Sequence, residues 1–335
     1  MADWETTDFF TDPGLVEDPY PYFDELRAEC PVLPIPHLGV VAVTGFEEAS
    51  ELYLDANNLS SCNSVIGPFL RFPVPLEGDD VSGVIEEYRD QIPMNEHMVT
   101  MDPPAHTRER ALLMRLITSK RLKENEAFMT RLSDQLLDEF ADAGSCEFIR
   151  AYSQPFAMLV VADLLGVPES DHQRFRDGFK LSHAPGQVAA DDGNAPGDSL
   201  NPLSWLDDWF AHYIEERRRE PRHDVLTDLA LATYPDSSMP EVTAVVHTAT
   251  FLFAAGQETT AKLLAVALKY LAERPELQDQ LRQDHELIPN FVEEALRIES
   301  PVKADFRLAK KNVTVGGVEI AAGTPVMLLN GAANR

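Results

Sequence analysis

The spacing of hydrophobic residues along the chain is mainly that of α-helices. Over residues 105–139 apolar side chains recur at helical intervals, and the double proline before this stretch fixes a helix start. The same spacing predicts three further helices, over residues 21–28, 155–165 and 205–219. Gly166 and Pro168 then end the second of these helices.

The longest helical pattern begins after Ser238, with Pro240 in its first turn, and then continues without a further proline to Pro275, although Gly256 interrupts it. Ser238 with Glu241 three residues later is typical of a capping box, in which the two side chains bond the first free N–H groups of a helix. The middle of this helix is apolar on every face, which predicts that it is buried rather than lying on the surface.

Strand patterns occur only towards the two ends of the chain. Residues 39–44 are rich in β-branched side chains, residues 313–320 combine two short strands with a Gly-Gly turn, and residues 324–329 predict another strand. No internal repeat is present. The pattern predicts a fold that is mainly α with small β-sheets at the ends (α+β), in a single domain over residues 1–335.

Two stretches follow neither periodicity. Residues 63–104 are rich in glycine and proline, which predicts a loop mixed with short helices. Residues 182–202 combine glycine, proline, alanine and aspartate, and they predict a mobile connector between two helices.

Composition narrows the class of protein. Hydrophobic residues make up 44% and charged residues 25%, an ordinary globular mixture. Lys and Arg number 28 against 56 Asp and Glu, and the net charge of −28 repels both nucleic acid and an anionic membrane, so we expect neither as a partner.

The N-terminus has no signal-peptide core, and the longest clean apolar run, residues 251–256, is too short to cross a bilayer. Three widely spaced cysteines without a CxxC pair argue against disulfides or a zinc site, and we expect a cytoplasmic protein.

Four residues in the middle of the long helix are unusual for an apolar segment. Ala255 and Gly256 are small, so that another group can approach the backbone, and Glu258 and Thr259 follow with a carboxyl and a hydroxyl group. A carboxylate on a buried helix is costly unless it is paired or functional, which favours a functional site. The alternative is that Glu258 reaches a surface groove and Thr259 bonds back to an upstream carbonyl.

Two other motifs carry charged residues at helical spacing. Glu294 and Arg297 share a helix face and can pair, although such pairs are often only solvated surface ion pairs. His106 and Arg110 stand on one face of the helix that follows the double proline, where they suit a dicarboxylate or a phosphate. Residues 106–123 hold six Lys or Arg against one Glu, a contrast with the acidic chain that indicates a basic surface or only a solvated face.

These motifs, in this order, resemble those of the cytochrome P-450 family of haem-thiolate monooxygenases, soluble bacterial type. AGQETT is similar to the family's oxygen-binding helix, EALR to its ExxR pair, and HTRER to the helix that contacts the haem propionates. The segments DPYPYFDELRAECPV and GVEIAAGTPVMLLNGAANR extend the resemblance over nearly the whole chain. An unrelated helical binding protein would have to carry the three motifs in this order by chance.

The resemblance implies a haem b cofactor (iron protoporphyrin IX) and catalytic roles on the long helix. Glu258 and Thr259 would be the acid–alcohol pair that delivers protons during oxygen activation. Ala255 and Gly256 would leave room for oxygen beside the haem.

The resemblance also implies residues that hold the cofactor and its core. The propionate partners would be His106, Arg110 and Arg307. Glu294 and Arg297 would be structural and support the haem-binding core.

The resemblance implies a haem-dependent monooxygenase that inserts one atom of O2 into a small apolar organic substrate. Electrons would come from NAD(P)H through a ferredoxin-type electron donor, and the basic stretch at residues 106–123 would help to dock it. Substrate contacts are expected from residues 63–101, residues 182–202 and the helix face at residues 251–255. The apolar candidates in the first of these stretches are Phe69, Leu70, Phe72 and Val74.

One part of the family pattern has no counterpart in the sequence. The family's iron ligand is a cysteine in a loop that follows a segment ending in Asn-Arg, and this sequence ends at Asn334-Arg335. Cys30, Cys62 and Cys146 lie outside any such motif and are interpreted as small packing residues. We therefore expect a C-terminally truncated chain without a metal ligand, and the alternative function is a non-catalytic truncated fragment without thiolate-ligated haem.

Overall fold

A computed structural model describes residues 4–114, 118–176 and 204–335. The predicted connector at residues 182–202 lies outside the described residues. The chain divides into two compact units. The first unit comprises Met1–His106 and Asp279–Arg335, and the second unit is Thr107–Gln278. The single domain over residues 1–335 stays a prediction.

The described secondary structure is mostly helical, with short strands near the two ends of the chain, as predicted. The helices are α1 (Pro13–Glu17), α2 (Tyr20–Glu29), α3 (Phe46–Leu54), α4 (Ser82–Glu87), α5 (Ala105–Leu113), α6 (Ser119–Ala141), α7 (Gln154–Leu165), α8 (Ser204–Arg219), α9 (Val225–Ala230), α10 (Val242–Glu273), α11 (Pro275–Gln283), α12 (Ile288–Ile298) and α13 (Asn330–Ala333). The strands are β1 (Val32–Ile35), β2 (Val40–Val43), β3 (Leu59–Ser60), β4 (Asp305–Ala309), β5 (Val313–Val315), β6 (Val318–Ile320) and β7 (Pro325–Leu328). The glycine-rich stretch at residues 63–104 contains α4 and short 3-10 turns, which confirms the predicted mixture of loop and helix.

The sheet of the first unit joins the two ends of the sequence. Its strand order is β1-β2-β7-β4-β3, in which β2 and β7 run parallel with Val41 opposite Val326. All four residues of β2 are buried because alternate side chains enter hydrophobic clusters on opposite faces of the sheet. A separate hairpin pairs β5 with β6, and its turn residues Gly316 and Gly317 have φ of 56° and 81°, the left-handed values that a tight hairpin turn requires.

The core of the second unit forms where α7, α8 and α10 pack together. Aromatic rings fill its centre: the ring centroid of Phe253 on α10 lies 5.4 Å from that of Phe175 and 5.9 Å from that of Phe210 on α8. These rings are fully buried, as are Leu165 on α7 and Ala249 on α10. Burial of large apolar side chains therefore fixes one face of α10.

Gly256 lets α10 approach α7 closely. A Cβ atom added to Gly256 would lie 3.0 Å from the Cγ2 atom of Val161, which is closer than side chains normally pack. The sequence predicts that another group approaches the backbone at Gly256, and in the structure Val161 of α7 is such a group.

A buried arginine in the second unit forms hydrogen bonds that join the end of α8 to the end of α7 and the start of α9. Arg217, with 0% of its side chain exposed, donates from Nε to Asp224 at 2.9 Å, from Nη1 to Glu216 at 2.6 Å and from Nη2 to the Gly166 carbonyl at 2.9 Å. Asp224 also caps α9 by accepting from the Thr227 N–H at 2.7 Å. Gly166 ends α7 with φ of 82°, as its sequence position predicted.

Two predictions about the long helix were wrong in detail. The capping box does not form, because the Ser238 hydroxyl donates to Asp236 at 2.5 Å and the helix begins only at Val242. The helix is also buried only in part, since the burial is concentrated in its first half and Glu258 is exposed. An apolar run with small residues does not by itself tell which faces have neighbours.

The helical stretch predicted over residues 105–139 contains two helices. The first, α5, begins directly after the double proline as predicted. The second, α6, begins after Thr118, whose side-chain oxygen accepts a hydrogen bond from the Arg121 N–H.

The first prediction concerns Arg217. Arg217→Met should lower the free energy of unfolding by about 3–5 kcal/mol, because it leaves the carboxylate of Asp224 without its buried partner. Urea denaturation followed by circular dichroism measures this change. Arg219→Met changes an exposed arginine two residues further along α8 and is the matched control. Its free energy of unfolding should stay within about 0.5 kcal/mol of that of the unchanged protein. Equal effects of the two substitutions would contradict the assignment.

The second prediction concerns the contact between α7 and α10. Gly256→Val should lower the free energy of unfolding by about 1–3 kcal/mol, because the new side chain overlaps Val161. Val161→Ala should recover part of this loss when combined with Gly256→Val, whereas alone it should destabilise the protein by leaving a cavity. The coupling energy from the four denaturation curves checks the contact, and additive effects would disprove it.

Candidate functional site

The Thr259 hydroxyl is held against its own helix. Its Oγ1 atom donates to the carbonyl oxygen of Ala255 at 2.8 Å, one turn earlier on α10. Ala255 is itself exposed, so the turn from Ala255 to Thr259 presents a small side chain next to a fixed hydroxyl. This bond to an upstream carbonyl is the one that the alternative interpretation of the sequence described.

Glu258 is a solvent-facing carboxylate rather than a buried one. Its side chain is 68% exposed and pairs with the ammonium of Lys262 at 2.7 Å. The expectation of a buried carboxylate on α10 was therefore wrong, because this face of the helix is not covered. The i,i+4 spacing of Glu258 and Lys262 was a signal in the sequence that could have identified the pair.

His106 and Arg110 lie one turn apart on α5, as predicted. His106 is half-buried, and its backbone N–H donates to the carbonyl of Asp102 at 3.0 Å in the first turn of the helix. Arg110 is exposed, and no carboxylate of the described residues lies within ion-pairing distance of its guanidinium. Since acidic residues outnumber basic ones two to one, an arginine without such a partner is available for an external anion.

The basic stretch that follows is partly neutralised inside the second unit. The guanidinium of Arg108 stacks 3.6 Å from the ring centroid of Tyr234, whose hydroxyl donates to Glu109 at 2.6 Å. Burial and the Glu109 carboxylate raise the pKa of Tyr234 to about 12. Arg121 is engaged as well, in an ion pair with Asp228. The excess of positive charge counted along the sequence is therefore smaller at the surface.

Arg307 lies on β4 in the first unit and is half-buried. Its Nη1 donates to the hydroxyl of Ser64 at 3.1 Å and to the carbonyl of Phe306 at 2.7 Å. The guanidinium also lies 5.3 Å from the ring centroid of Tyr53. Within the part of the chain that the structure describes, no carboxylate forms a salt bridge with Arg307, which leaves its charge for an anionic group.

Glu294 and Arg297 form a two-bond ion pair on α12. Nε and Nη2 of Arg297 donate to the two carboxylate oxygens at 2.8 Å and 2.7 Å. These bonds lower the pKa of Glu294 and raise that of Arg297, and both side chains are about half exposed. The Nη1 atom reaches the carbonyl of Asn334 at 2.7 Å, so the pair also anchors the segment around α13. Sequence reasoning missed this partner, which lies far along the chain.

The three cysteines differ in environment. Cys62 is buried among apolar side chains in the first unit, and burial raises the pKa of its thiol to about 12, so it stays protonated at neutral pH. Cys30 is half-buried at the end of α2, whereas Cys146 is exposed. The interpretation as packing residues is confirmed for Cys62 and wrong for Cys146.

The predicted residues are thus grouped by element. Ala255, Gly256, Glu258 and Thr259 share one stretch of α10 in the second unit. In the first unit, the Glu294–Arg297 pair lies on α12, and Arg307 lies apart from it on β4. Among the described residues, no helix is both long and apolar enough to span a membrane.

Comparisons with known proteins place the chain in a family. A family model described as Cytochrome P450 matches residues 203–335. Cytochrome P450 144 of Mycobacterium tuberculosis is 32% identical over 324 residues, which are 96% of this chain and 71% of that protein. Vitamin D(3) 25-hydroxylase of Pseudonocardia autotrophica is 32% identical over 95% of this chain and 74% of its own length.

A solved structure agrees with these matches. Substrate-free cytochrome P450 CYP150A6 of Mycobacterium marinum superposes with a TM-score of 0.90 at 57% sequence identity, over 99% of this chain and 77% of that one. The mainly helical fold with small sheets is therefore confirmed. The chain belongs to the cytochrome P450 family, whose members are monooxygenases that use haem b.

Proposed function

We propose that this protein hydroxylates a small apolar organic substrate with one atom of O2, and that residues 1–335 form a single P450-like domain. The observation that carries the proposal is the turn of α10 in which the exposed Ala255 precedes the tethered hydroxyl of Thr259. That turn combines room for a small molecule with a group able to accept and donate a proton.

Two arginines of the chain have the chemistry that the propionate groups of a haem require. Arg110 and Arg307 are cations without carboxylate partners among the described residues, in a chain that otherwise carries twice as many acidic as basic side chains. Guanidinium groups suit carboxylates because their N–H donors match the two oxygens. We assign Arg110 and Arg307 to the propionates, with His106 as a further hydrogen-bonding group on the face of α5 that carries Arg110.

Haem, when bound, supplies the redox centre at which O2 is reduced and one oxygen atom is transferred. The protein's part in this proposal is to deliver protons. Glu258 is in contact with solvent, and it pairs with Lys262 one turn further along α10. Thr259 is next in sequence, and rotation of its hydroxyl away from the Ala255 carbonyl would let it donate into the site.

The Glu294–Arg297 pair has a supporting role in this proposal. It joins α12 to the carbonyl of Asn334, and it therefore keeps in place the segment that follows β7. Since both side chains are about half exposed, we assign them a structural rather than a catalytic role.

The substrate would meet the face of α10 around residues 251–255 and the stretch at residues 63–101. Of the apolar candidates, Leu70 and Phe72 line a cavity of the first unit, whereas Phe69 and Val74 are exposed. The relative from Pseudonocardia autotrophica is named for hydroxylation of vitamin D(3), an apolar molecule, which supports this class of substrate.

The electron donor in this proposal is a ferredoxin-type protein that is reduced by NAD(P)H. Lys120 and Lys123 are exposed lysines at the start of α6, and acidic surfaces of a small redox protein would bind there. Arg108 and Arg121 are engaged with Tyr234 and Asp228, so they contribute less to such docking.

A second candidate concerns the polypeptide of residues 1–335 taken by itself, in which none of the three cysteines is a thiolate ligand of haem and no catalysis occurs. The chemistry of the three cysteines favours it: Cys62 is a buried thiol with a raised pKa, and Cys30 and Cys146 lie in no family ligand motif. A thiolate, not a thiol, is the ligand that monooxygenase chemistry requires.

The third prediction tests the role of Thr259. In the haem-loaded protein with its redox partner, Thr259→Ala should lower the product formed per NAD(P)H consumed about tenfold or more, because proton delivery is impaired while electron uptake continues. Product and NAD(P)H are measured in the same reaction. Thr260→Ala removes an exposed neighbouring hydroxyl and should leave the ratio unchanged. Equal coupling in the Thr259 variant and the unchanged protein would overturn the assignment.

The fourth prediction separates the two candidates. The 335-residue polypeptide is reconstituted with haem, reduced and exposed to carbon monoxide, and its Soret band is recorded. From its own cysteines we expect no thiolate-type band. A thiolate-type band that survives Cys30→Ser and Cys146→Ser but is lost in Cys62→Ser would assign Cys62 as the ligand and refute the second candidate.

A further inference from the structure

A cavity of the first unit combines apolar walls with two polar groups. It has a volume of about 260 Å³ and lies among the turn between β1 and β2, residues 67–76, and strands β4 and β7. Its apolar walls come from Leu38, Leu70, Phe72, Leu76, Leu308 and Pro325. The polar side chains that line it are those of Asn63 and Arg71. Small-molecule sites usually have this composition: mostly apolar walls with a few placed polar groups.

Arg71 offers a guanidinium edge that the protein does not use. Both of its hydrogen bonds leave from Nη1, to the carbonyl of Pro68 at 2.6 Å and to that of Leu70 at 3.1 Å. Nε and Nη2 bind no group of the described residues. That pair of nitrogens is the edge that binds both oxygens of a carboxylate. The segment PFLRFPVPL around Arg71 contains no acidic residue, so its sequence neighbours supply no counter-ion.

Asn63 offers an acceptor that the protein does not use. The residue is 0% exposed, and its Nδ2 donates to the carbonyl of Arg307 at 3.2 Å, which fixes the orientation of the amide. The Oδ1 atom is buried and has no hydrogen-bond partner. Buried polar atoms are almost always satisfied, so an unpartnered oxygen beside a cavity points to a ligand that donates to it.

We propose that this cavity binds a small apolar carboxylic acid that also carries an N–H or O–H donor. The carboxylate binds the Nε and Nη2 edge of Arg71, the donor satisfies Asn63 Oδ1, and the hydrocarbon part packs on the leucine side chains. Leu70 and Phe72 are among the substrate contacts proposed above, so this inference names the class of molecule that the cavity binds and rests on the proposed function. Binding measured by calorimetry requires neither turnover nor a redox partner, so its failure is distinguishable from a failure of hydroxylation.

Electrostatics narrows the ligand class. The net charge of −28 repels anions at a distance, so a multiply charged anion such as a phosphate ester gains little from a single arginine. A singly charged carboxylate with apolar bulk is repelled less, and it gains from the apolar walls of the cavity as well. A neutral alcohol would leave the Arg71 edge without its partner.

The fifth prediction is tested by isothermal titration calorimetry on the haem-loaded protein. N-hexanoylglycine, which carries a carboxylate, an amide N–H and a short chain, should bind with one-to-one stoichiometry. The ester analogue O-hexanoylglycolate lacks only the N–H and should bind about 3–10-fold more weakly, the effect of one neutral hydrogen bond. 1-Hexanol should bind more weakly than both. Absence of binding by N-hexanoylglycine, or equal affinity for all three compounds, would overturn the proposal.

Variants then locate the site. Arg71→Gln should weaken binding of N-hexanoylglycine by about 10–100-fold, because it removes a charge-assisted two-bond contact. The affinity of Arg71→Lys should lie between that of the unchanged protein and that of Arg71→Gln. Arg282→Gln changes an exposed arginine on α11 that pairs with Asp279, and it should leave the affinity unchanged. Unfolding midpoints of all variants are measured in parallel. Equal affinity of the folded Arg71→Gln variant and the unchanged protein would refute the site, and the three compounds test the proposal on the unchanged protein if that variant does not fold.

Discussion

The close contact between α7 and α10 is the packing constraint on which the proposed chemistry depends. Gly256 has no side chain, so Val161 can approach the backbone of α10, and the aromatic rings around Phe253 fix the preceding turns. Because one face of the helix is held in this way, the turn that carries Ala255 and Thr259 has a defined position in the second unit. A loosely packed helix could not hold a hydroxyl group for directed proton transfer.

The arginines of this acidic chain differ in whether the protein itself supplies their counter-ions. Arg217 is fully buried and is satisfied by Asp224, Glu216 and a carbonyl, so its charge stabilises the junction of three helix ends. Arg110, Arg71 and Arg307, by contrast, have no carboxylate partner among the described residues. In a protein with 56 acidic and 28 basic side chains, such arginines mark places where an external anion can bind.

The candidate site shows which features a sequence carries. Thr259 and Glu258 were identified because a hydroxyl and a carboxyl group stand out in an apolar helix, and the lysine four residues later could have been paired with Glu258 by spacing alone. The exposure of Glu258 could not be predicted from the sequence, because it depends on which elements cover that face of α10. For the same reason Ser64 and Asn334, the partners of Arg307 and Arg297, were not predicted: both lie far from them in sequence.

The sequence by itself determined the local elements: the helices between their proline and glycine boundaries, the Gly-Gly hairpin, and the family motifs in their order. These depend on interactions between residues near one another in the chain, which periodicity and turn chemistry record. Only the tertiary structure decided that β2 pairs with β7, that Gly256 faces Val161, and that Asn63 and Arg71 share a cavity. Such contacts join distant segments, and they are set by the packing of whole elements rather than by local preference.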